Sequence, residues 1–600
     1  MIGADRKIVL NSWLTILVII FLGFSAYSFV LGSPFKTLDD NISIVYNPSI
    51  KSFSYLKNIF TTSFFGSSHY YRPLVSFSFM AEYALFGPNP FYFNLTNILI
   101  HAATSCIIFF LVTALMNNRL IAFLTAVLFV IHPINWEAVC NISGRAILLS
   151  AFFVVSAFFC YVLFDRKKSI AAYICSIVFF ALALLSKESA AMLPLVILAY
   201  LYFIEKAPLK RFTPVVSYFA VIALYILARK ILGIVEVYPW RSLEELILGI
   251  VTFLRGCLTY ARLIVLPLDM HFDRAQAMFT GFSQKGVILM ILIYLVMIGA
   301  LVKFHRQIPG IVKFFLIWIG IELLPASQII TTIGVQPGYI SLAEHFFYIP
   351  SIGAFFLLAL LVQKGWEWNA QKKFLSPVVF KSVVVGFLVF FYITTVQQAI
   401  YARSPISMFQ QTLSNNPHNA RILYSMGFEL VGLKRFSEAE QYFRKSLMED
   451  PQLALSRIGL AKSLCDQDRC LEATTEYEKI KNPGKYADLI KENLRLSYSI
   501  VIQKYLNRLT AEPENPKLYY SLGVMYAKTN QLDGAIAQFE KAVQLDPKNS
   551  EAVFNLASAY ETRGDLGQAI ELYKQLLSQT QAPLELKKYA EKKLIELSPQ

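Results

Sequence analysis

The sequence predicts an all-α protein in two parts: a polytopic membrane domain of about eleven spans over residues 1–400, and a tetratricopeptide-repeat α-solenoid over residues 417–600. Three observations carry this. The composition is 56% hydrophobic and only 16% charged, with a mean hydropathy of +0.50, too apolar for an ordinary soluble surface. Apolar runs, several approaching the ~20 residues that cross a bilayer, recur as far as Ala399. Beyond it, Pro417 and Pro451, and again Pro513 and Pro547, stand 34 residues apart, the tetratricopeptide period.

The first run, 10–31, follows Arg6 and Lys7 and has no small-residue cleavage site after it, so it reads as a retained signal anchor whose start is inside. Further runs lie at 91–115, 120–131, 147–164, 170–185, 190–204, 214–232, 286–302, 311–330, 346–362 and 379–399. If all of them cross, the charge clusters at Arg119, 165–168, 205–211, 303–306 and 364–373 face the cytoplasm, where Lys and Arg belong. The segment 247–266 is apolar enough to span but carries Arg255, Tyr260 and Arg262. Counting it would turn Lys303, His305 and Arg306 outward, so it reads as interfacial or re-entrant. The net charge of +15 resides in such loop clusters, which excludes nucleic acid as a partner. Seven cysteines without CxxC spacing indicate neither a zinc site nor a disulfide framework, and Cys106, Cys160, Cys175 and Cys257 read as packing residues.

After a linker over 401–416, small and aromatic residues recur in register with the prolines. Gly427, Ala439 and Phe443 precede Pro451, and Gly523, Tyr526, Ala535, Phe539 and Ala542 precede Pro547. Ala461, Ala473 and Tyr477, and Ala557, Tyr560, Ala569 and Tyr573, mark further units. Small residues let paired helices approach, and the aromatics fill the gaps between repeats. With 482–513 degenerate and 582–597 a capping helix, the array counts about five units on the outward face, where its groove suits an acceptor protein or peptide.

Ionisable groups beside spans are costly and mark function. The outward face collects Asp39 and Asp40, Arg72, His132 and Glu137, Arg145, Lys187 and Glu188, and Glu344 and His345. No phosphate-cradling glycine loop, HExxH, GxSxG or paired metal motif is present, so neither a metal nor a cofactor is expected. These parts fit sugar transfer from a polyprenyl-phosphate donor in the membrane. A carboxylate, Asp39, Asp40 or Glu137, takes the proton of a hydroxyl that attacks the anomeric carbon. Arg72, Arg145, Lys187 and His345, with His132 and Glu188 beside them, hold the departing phosphate. The competing readings are local: an aspartate capping a loop helix, Lys187 and Glu188 as a self-contained ion pair, Arg72 and Glu82 as solvated loop charges. His101, within an apolar run, reads as an interhelical hydrogen bonder. Of the aspartates, Asp39 is preferred as base, because Asp40 precedes Asn41 and is placed to serve as a local cap.

In order along the chain, LDDNISIVYNP, YYRPLVSFSFMAEYALFGPNPFYFNLTNILIHA, HPINWEAVCNISGR, LLSKESA, YARLIVLPLDMHFD and AEHFFYIPSIG, followed by the repeats, resemble the transmembrane and tetratricopeptide-repeat-containing O-mannosyltransferases, members of the GT-C membrane glycosyltransferases. The resemblance implies inverting, metal-independent transfer of mannose from a dolichyl-phosphate carrier to Ser or Thr hydroxyls of proteins, on the noncytoplasmic side. It places the acidic pair in the first external loop, 32–91, Glu137 in the second, and Arg145 and Lys187 near the lipid phosphate. Leu38 stands where an aromatic is usual and His345 where an Arg is usual, and the repeat array is short. These departures point to a prokaryotic relative with an undecaprenyl or similar phosphate in the plasma membrane; a eukaryotic member would sit in the endoplasmic reticulum. Two other functions fit the same parts: transfer to a lipid or surface glycan, or a nonenzymatic membrane-anchored repeat scaffold.

Overall fold

The computed structural model describes residues 12–36, 39–64, 70–234, 242–329, 338–481 and 483–597, so that Arg6, Lys7 and Leu38 lie outside the described residues. These are almost wholly helical; their one sheet is an antiparallel ribbon of Ala275–Ala277 and Tyr339–Ser341. The chain divides into two compact units, Met1–Glu429 and Leu430–Gln600.

In the first unit seven helices are long and apolar enough to cross a bilayer: Ser12–Gly32, Pro90–Met116, Ile142–Lys167, Leu209–Ile231, Leu243–Val265, Lys285–Phe304 and Pro377–Ala402. A bent pair, Arg119–Ile131 and Pro133–Cys140, meets at 51° and makes an eighth candidate. The bend has a local cause. Pro133 brings no N–H to the helical ladder and its ring disfavours a helical residue before it, and His132 is accordingly extended at φ −79° and ψ 131°. The break redirects the short Trp136–Cys140 helix that carries Glu137.

Among the described residues, seven or eight candidates meet this length and composition, beside the expectation of about eleven spans. The runs 170–185, 190–204 and 311–330 form helices Ile170–Ser186, Leu193–Phe203 and Gly310–Leu323 of 17, 11 and 14 residues, short of a straight crossing. The run 346–362 enters Pro350–Lys372, whose last turns carry Lys364, Glu367 and Lys372. Conversely, the segment expected to be interfacial is one unbroken 23-residue helix, Leu243–Val265. Its arginines are accommodated locally: Arg255 lies 4.3 Å from the Phe279 ring centroid and Arg262 pairs with Asp269 at 2.7 Å.

Pro90–Met116 and Ile142–Lys167 are central, with 56% and 61% of their apolar windows buried against 11% for Leu209–Ile231, Lys285–Phe304 and Pro377–Ala402. His101, in the first of these, meets the Tyr348 hydroxyl at 2.6 Å and the Val130 carbonyl at 3.3 Å, the interhelical role expected of it.

The second unit continues the repeats. It comprises Phe436–Glu449, the pair Ala454–Asp466 and Cys470–Glu478, the single 25-residue helix Ala487–Ala511 where the repeat pattern degenerates, the pairs Pro516–Lys528 with Leu532–Leu545 and Ser550–Arg563 with Leu566–Ser578, and a final helix Leu584–Leu597. The small-residue reading has a direct basis here, since a Cβ on Gly523 would sit 2.6 Å from the Phe539 ring.

One expectation is corrected. Cys465 and Cys470 form a disulfide across the turn of a helix pair, while Cys106, Cys140, Cys160, Cys175 and Cys257 are free. Spacing alone did not indicate it, because the two thiols meet only when antiparallel helices close the turn between them. Denatured protein isolated without reductant is expected to take up five maleimides, and seven after reduction, by intact mass. Seven before reduction would remove the bond.

Candidate functional site

The two aspartates of the first loop have different environments. Asp40 is 1% exposed and accepts the backbone N–H of Lys36 on Oδ2 and of Ser143 on Oδ1, both at 3.0 Å. The Lys36 ammonium donates to the Cys140 carbonyl at 2.7 Å. Burial raises the Asp40 pKa, opposed by Lys36 and the two N–H groups, and burial lowers that of Lys36, opposed by Asp40. The second loop must turn tightly to present Ser143, and Gly144 permits it: a Cβ there would lie 2.0 Å from the Ala138 carbonyl oxygen. Asp40 thus clamps the first loop to the second. The side chain of Asp39 is 42% exposed and faces the Arg421 guanidinium at 3.5 Å.

Arg421 also reaches Asp273 at 3.6 Å, a buried carboxyl whose pKa burial raises against the pull of Arg421. Glu137 lies close enough to act electrostatically on Asp273 and Arg421, and on Lys187 as well. Its Oε2 accepts the His345 N–H at 3.0 Å and its Oε1 meets His345 Nδ1 at 3.0 Å, leaving the imidazole 30% exposed. The neighbouring Glu344 is fully buried, accepting from Trp136 Nε1 at 2.6 Å, Arg274 Nη2 at 3.0 Å and the His271 N–H at 3.1 Å. Burial pushes its pKa up to about 7 despite Arg274.

Arg72, just ahead of the Pro73–Phe86 helix, makes a bidentate pair with Glu188 at 2.6 and 3.1 Å and lies 4.3 Å from the Tyr70 ring centroid. Glu188 is raised by burial but drawn down on balance to about 2 by Arg72. Lys187 does not pair with its neighbour: among the described residues its ammonium makes no hydrogen bond or ion pair and stands 6.0 Å from the Phe346 ring centroid. Burial, aided by Arg72, lowers its pKa to about 8. Glu137, His345, Lys187, Arg72 and Glu188 therefore form one electrostatic group, which Asp39 joins through Arg421; the half-exposed Asp39 carboxylate and the Lys187 ammonium are its open valences.

Two residues expected to bind the donor are elsewhere. His132 is fully buried, accepting the Ile134 N–H on Nδ1 at 3.1 Å and donating from Nε2 to the Ile264 carbonyl at 3.0 Å. It caps the helix break. Arg145 is also fully buried, and its guanidinium is saturated: Nε on Asn97 at 2.6 Å, Nη1 on Glu82 at 2.8 Å and Ser78 at 3.2 Å, Nη2 on the Phe93 carbonyl at 2.8 Å and Glu82 at 3.3 Å. No donor remains for a lipid phosphate. Glu82 is accordingly a structural partner rather than a solvated loop charge.

Sequence reasoning missed Lys36, Asp273, Arg274 and Arg421. Asp273 closes the LDMHFD stretch and could have been marked by it; Arg421 sits in a repeat helix among many surface arginines and carries no such signal.

Helices of membrane-crossing length with an ionisable cluster assembled from their loops, followed by tetratricopeptide repeats, define a polytopic membrane protein with a repeat domain. Residues 72–232 match the family model of dolichyl-phosphate-mannose-protein mannosyltransferases, and residues 420–453 and 526–588 match tetratricopeptide-repeat models. Over most of its length the chain resembles the TMTC-type protein O-mannosyl-transferases. It is 25% identical to mouse TMTC3 over 599 residues, covering 87% of this chain and 63% of the relative. It is 26% identical to Caenorhabditis elegans F38B6.6 over 456 residues, covering 73% of this chain and 63% of the relative. Human TMTC1 is 39% identical over 132 residues, 20% of this chain and 15% of that protein. The chain spans 63% of the length of the first two relatives. Among solved structures, the tetratricopeptide-repeat protein YrrB is similar at 18% identity over 31% of this chain and 97% of that chain, with a TM-score of 0.17.

Proposed function

We propose that the protein is a membrane glycosyltransferase that moves mannose or a similar sugar from a polyprenyl-phosphate carrier to Ser or Thr hydroxyls of exported proteins, with inversion. The observation that carries this is an accessible carboxylate, Asp39, on Arg421, and a cation without an ion-pair partner among the described residues, Lys187, with the Glu137 charge acting on both Arg421 and Lys187. Asp39 takes the acceptor hydroxyl proton, the oxygen bonds to the anomeric carbon from the face opposite the phosphate, and the carbon–oxygen bond to phosphate breaks. The phosphate leaves on its lipid with its charge met by Lys187. Arg72, neutralised and aligned by Glu188, lines the same region, and His345, held through Nδ1 by Glu137, keeps Nε2 for the donor.

The acceptor is held by the repeats on the noncytoplasmic side. The Cys465–Cys470 bond supports that side, because disulfides persist in oxidising compartments. Purified protein supplied with labelled polyprenyl-phosphate mannose and a Ser/Thr peptide tests the reading; no transfer with any lipid-linked donor would end it.

A pH dependence follows from Lys187. Its pKa of about 8 leaves it charged below that value and neutral above, so the donor KM is expected to rise as pH passes about 8. Lys187→Arg, charged throughout, should flatten this limb. An identical limb in the variant would remove Lys187 from the phosphate site.

A further inference from the structure

We propose that Arg421 is a positioning residue for Asp39, so that the helix opening the repeat array completes the transfer site; this rests on Asp39 being the base. Arg421 is the second residue of Ala420–Gly432. The start of that helix is fixed by Asn419, which is fully buried. Its Oδ1 accepts the Ile422 N–H at 3.1 Å, and its Nδ2 reaches the Asp273 carbonyl at 3.4 Å and Asp273 Oδ2 at 3.5 Å. Asp273 is itself held in a left-handed turn at φ 52°. From this anchored helix start Arg421 lies between two carboxylates, with Nη1 3.6 Å from Asp273 Oδ1 and Nη2 3.5 Å from Asp39 Oδ1.

Both separations suit charge attraction yet exceed a well-formed hydrogen bond. The contrast with Asp40 is informative. Asp40 spends its oxygens on two N–H groups at 3.0 Å, whereas Asp39 is oriented by charge while its lone pairs remain available to a hydroxyl proton. A planar guanidinium spans two carboxylates at once, which a single ammonium does not. Arg421 therefore sets where the Asp39 carboxylate points without occupying it. Asp273 is the counterweight that keeps Arg421 from collapsing onto Asp39.

The test uses the full chain with labelled polyprenyl-phosphate mannose and a peptide acceptor. Arg421→Gln is expected to lower kcat by about 10- to 100-fold, the scale of a misdirected reacting group, with the donor KM within about twofold of wild type. Arg421→Lys should recover part of the rate. Asp273→Asn should lower kcat in the same direction, and combining it with Arg421→Gln should add no further loss, because it acts through Arg421. Wild-type kcat in Arg421→Gln, or multiplicative losses in the double variant, would overturn the proposal. Where Arg421→Gln does not accumulate in membranes, Arg421→Lys decides: a reduced kcat at unchanged KM supports the role, and a wild-type kcat overturns it. Failure of the base assignment reads differently, as undiminished transfer in Asp39→Asn whatever Arg421 does.

Discussion

Under the proposed reaction, Asp39→Asn is expected to abolish sugar transfer while leaving the protein folded. A positioned general base contributes about 10²- to 10⁴-fold, and asparagine, nearly isosteric, cannot take the proton. The side chain is 42% exposed and its contact to Arg421 is a 3.5 Å ion pair, so little of the fold depends on it. Asp40→Asn is expected to behave differently. An amide placed opposite the Lys36 and Ser143 N–H groups turns two good hydrogen bonds into at most one and leaves the buried Lys36 ammonium without its counter-charge. Its loss of activity should come with a lower melting temperature. Single-turnover transfer and thermal unfolding, measured on both variants, separate the roles. Asp39→Asn within about tenfold of wild type, below the contribution of even a modest base, would refute the assignment.

The second large effect lies in the interior. Glu82→Ala leaves the Arg145 guanidinium buried without its carboxylate, and breaking such a pair by removing one partner costs about 3–5 kcal/mol. The two side chains are 0% and 9% exposed, which denies water the chance to compensate. Replacing both, as Glu82→Leu with Arg145→Met, should restore much of the stability, because the buried charges leave together. Unfolding in detergent reads this directly. The double variant also tests the phosphate role that family resemblance implies for Arg145. Its donor KM is expected to stay near wild type, and a large rise would return Arg145 to the donor site.

The membrane helices and repeats were legible because they are local patterns. An apolar run or a proline recurring at 34 residues is read without knowing what it touches. Span number was less legible. Of the eleven runs, six are among the seven candidate crossings and 120–131 opens the bent pair, whereas Leu243–Val265 is not one of the eleven, because a run's apolar length does not reveal how long a helix it forms. Site residues could be collected but not sorted. His132, Glu137 and Arg145 lie in one motif, yet only Glu137 joins the open cluster; the others hold the Ile264 carbonyl and Glu82.

The sequence by itself determined a helical membrane protein with ionisable residues gathered beside its apolar runs and a repeat domain, since composition and periodicity depend only on neighbours in the chain. The tertiary structure decided which of two adjacent aspartates is open. That choice depends on Ser143, 103 residues from Asp40, and on Arg421 from the first repeat helix. Hydrogen-bond saturation is a property of groups brought together in space, and no spacing along the chain records it.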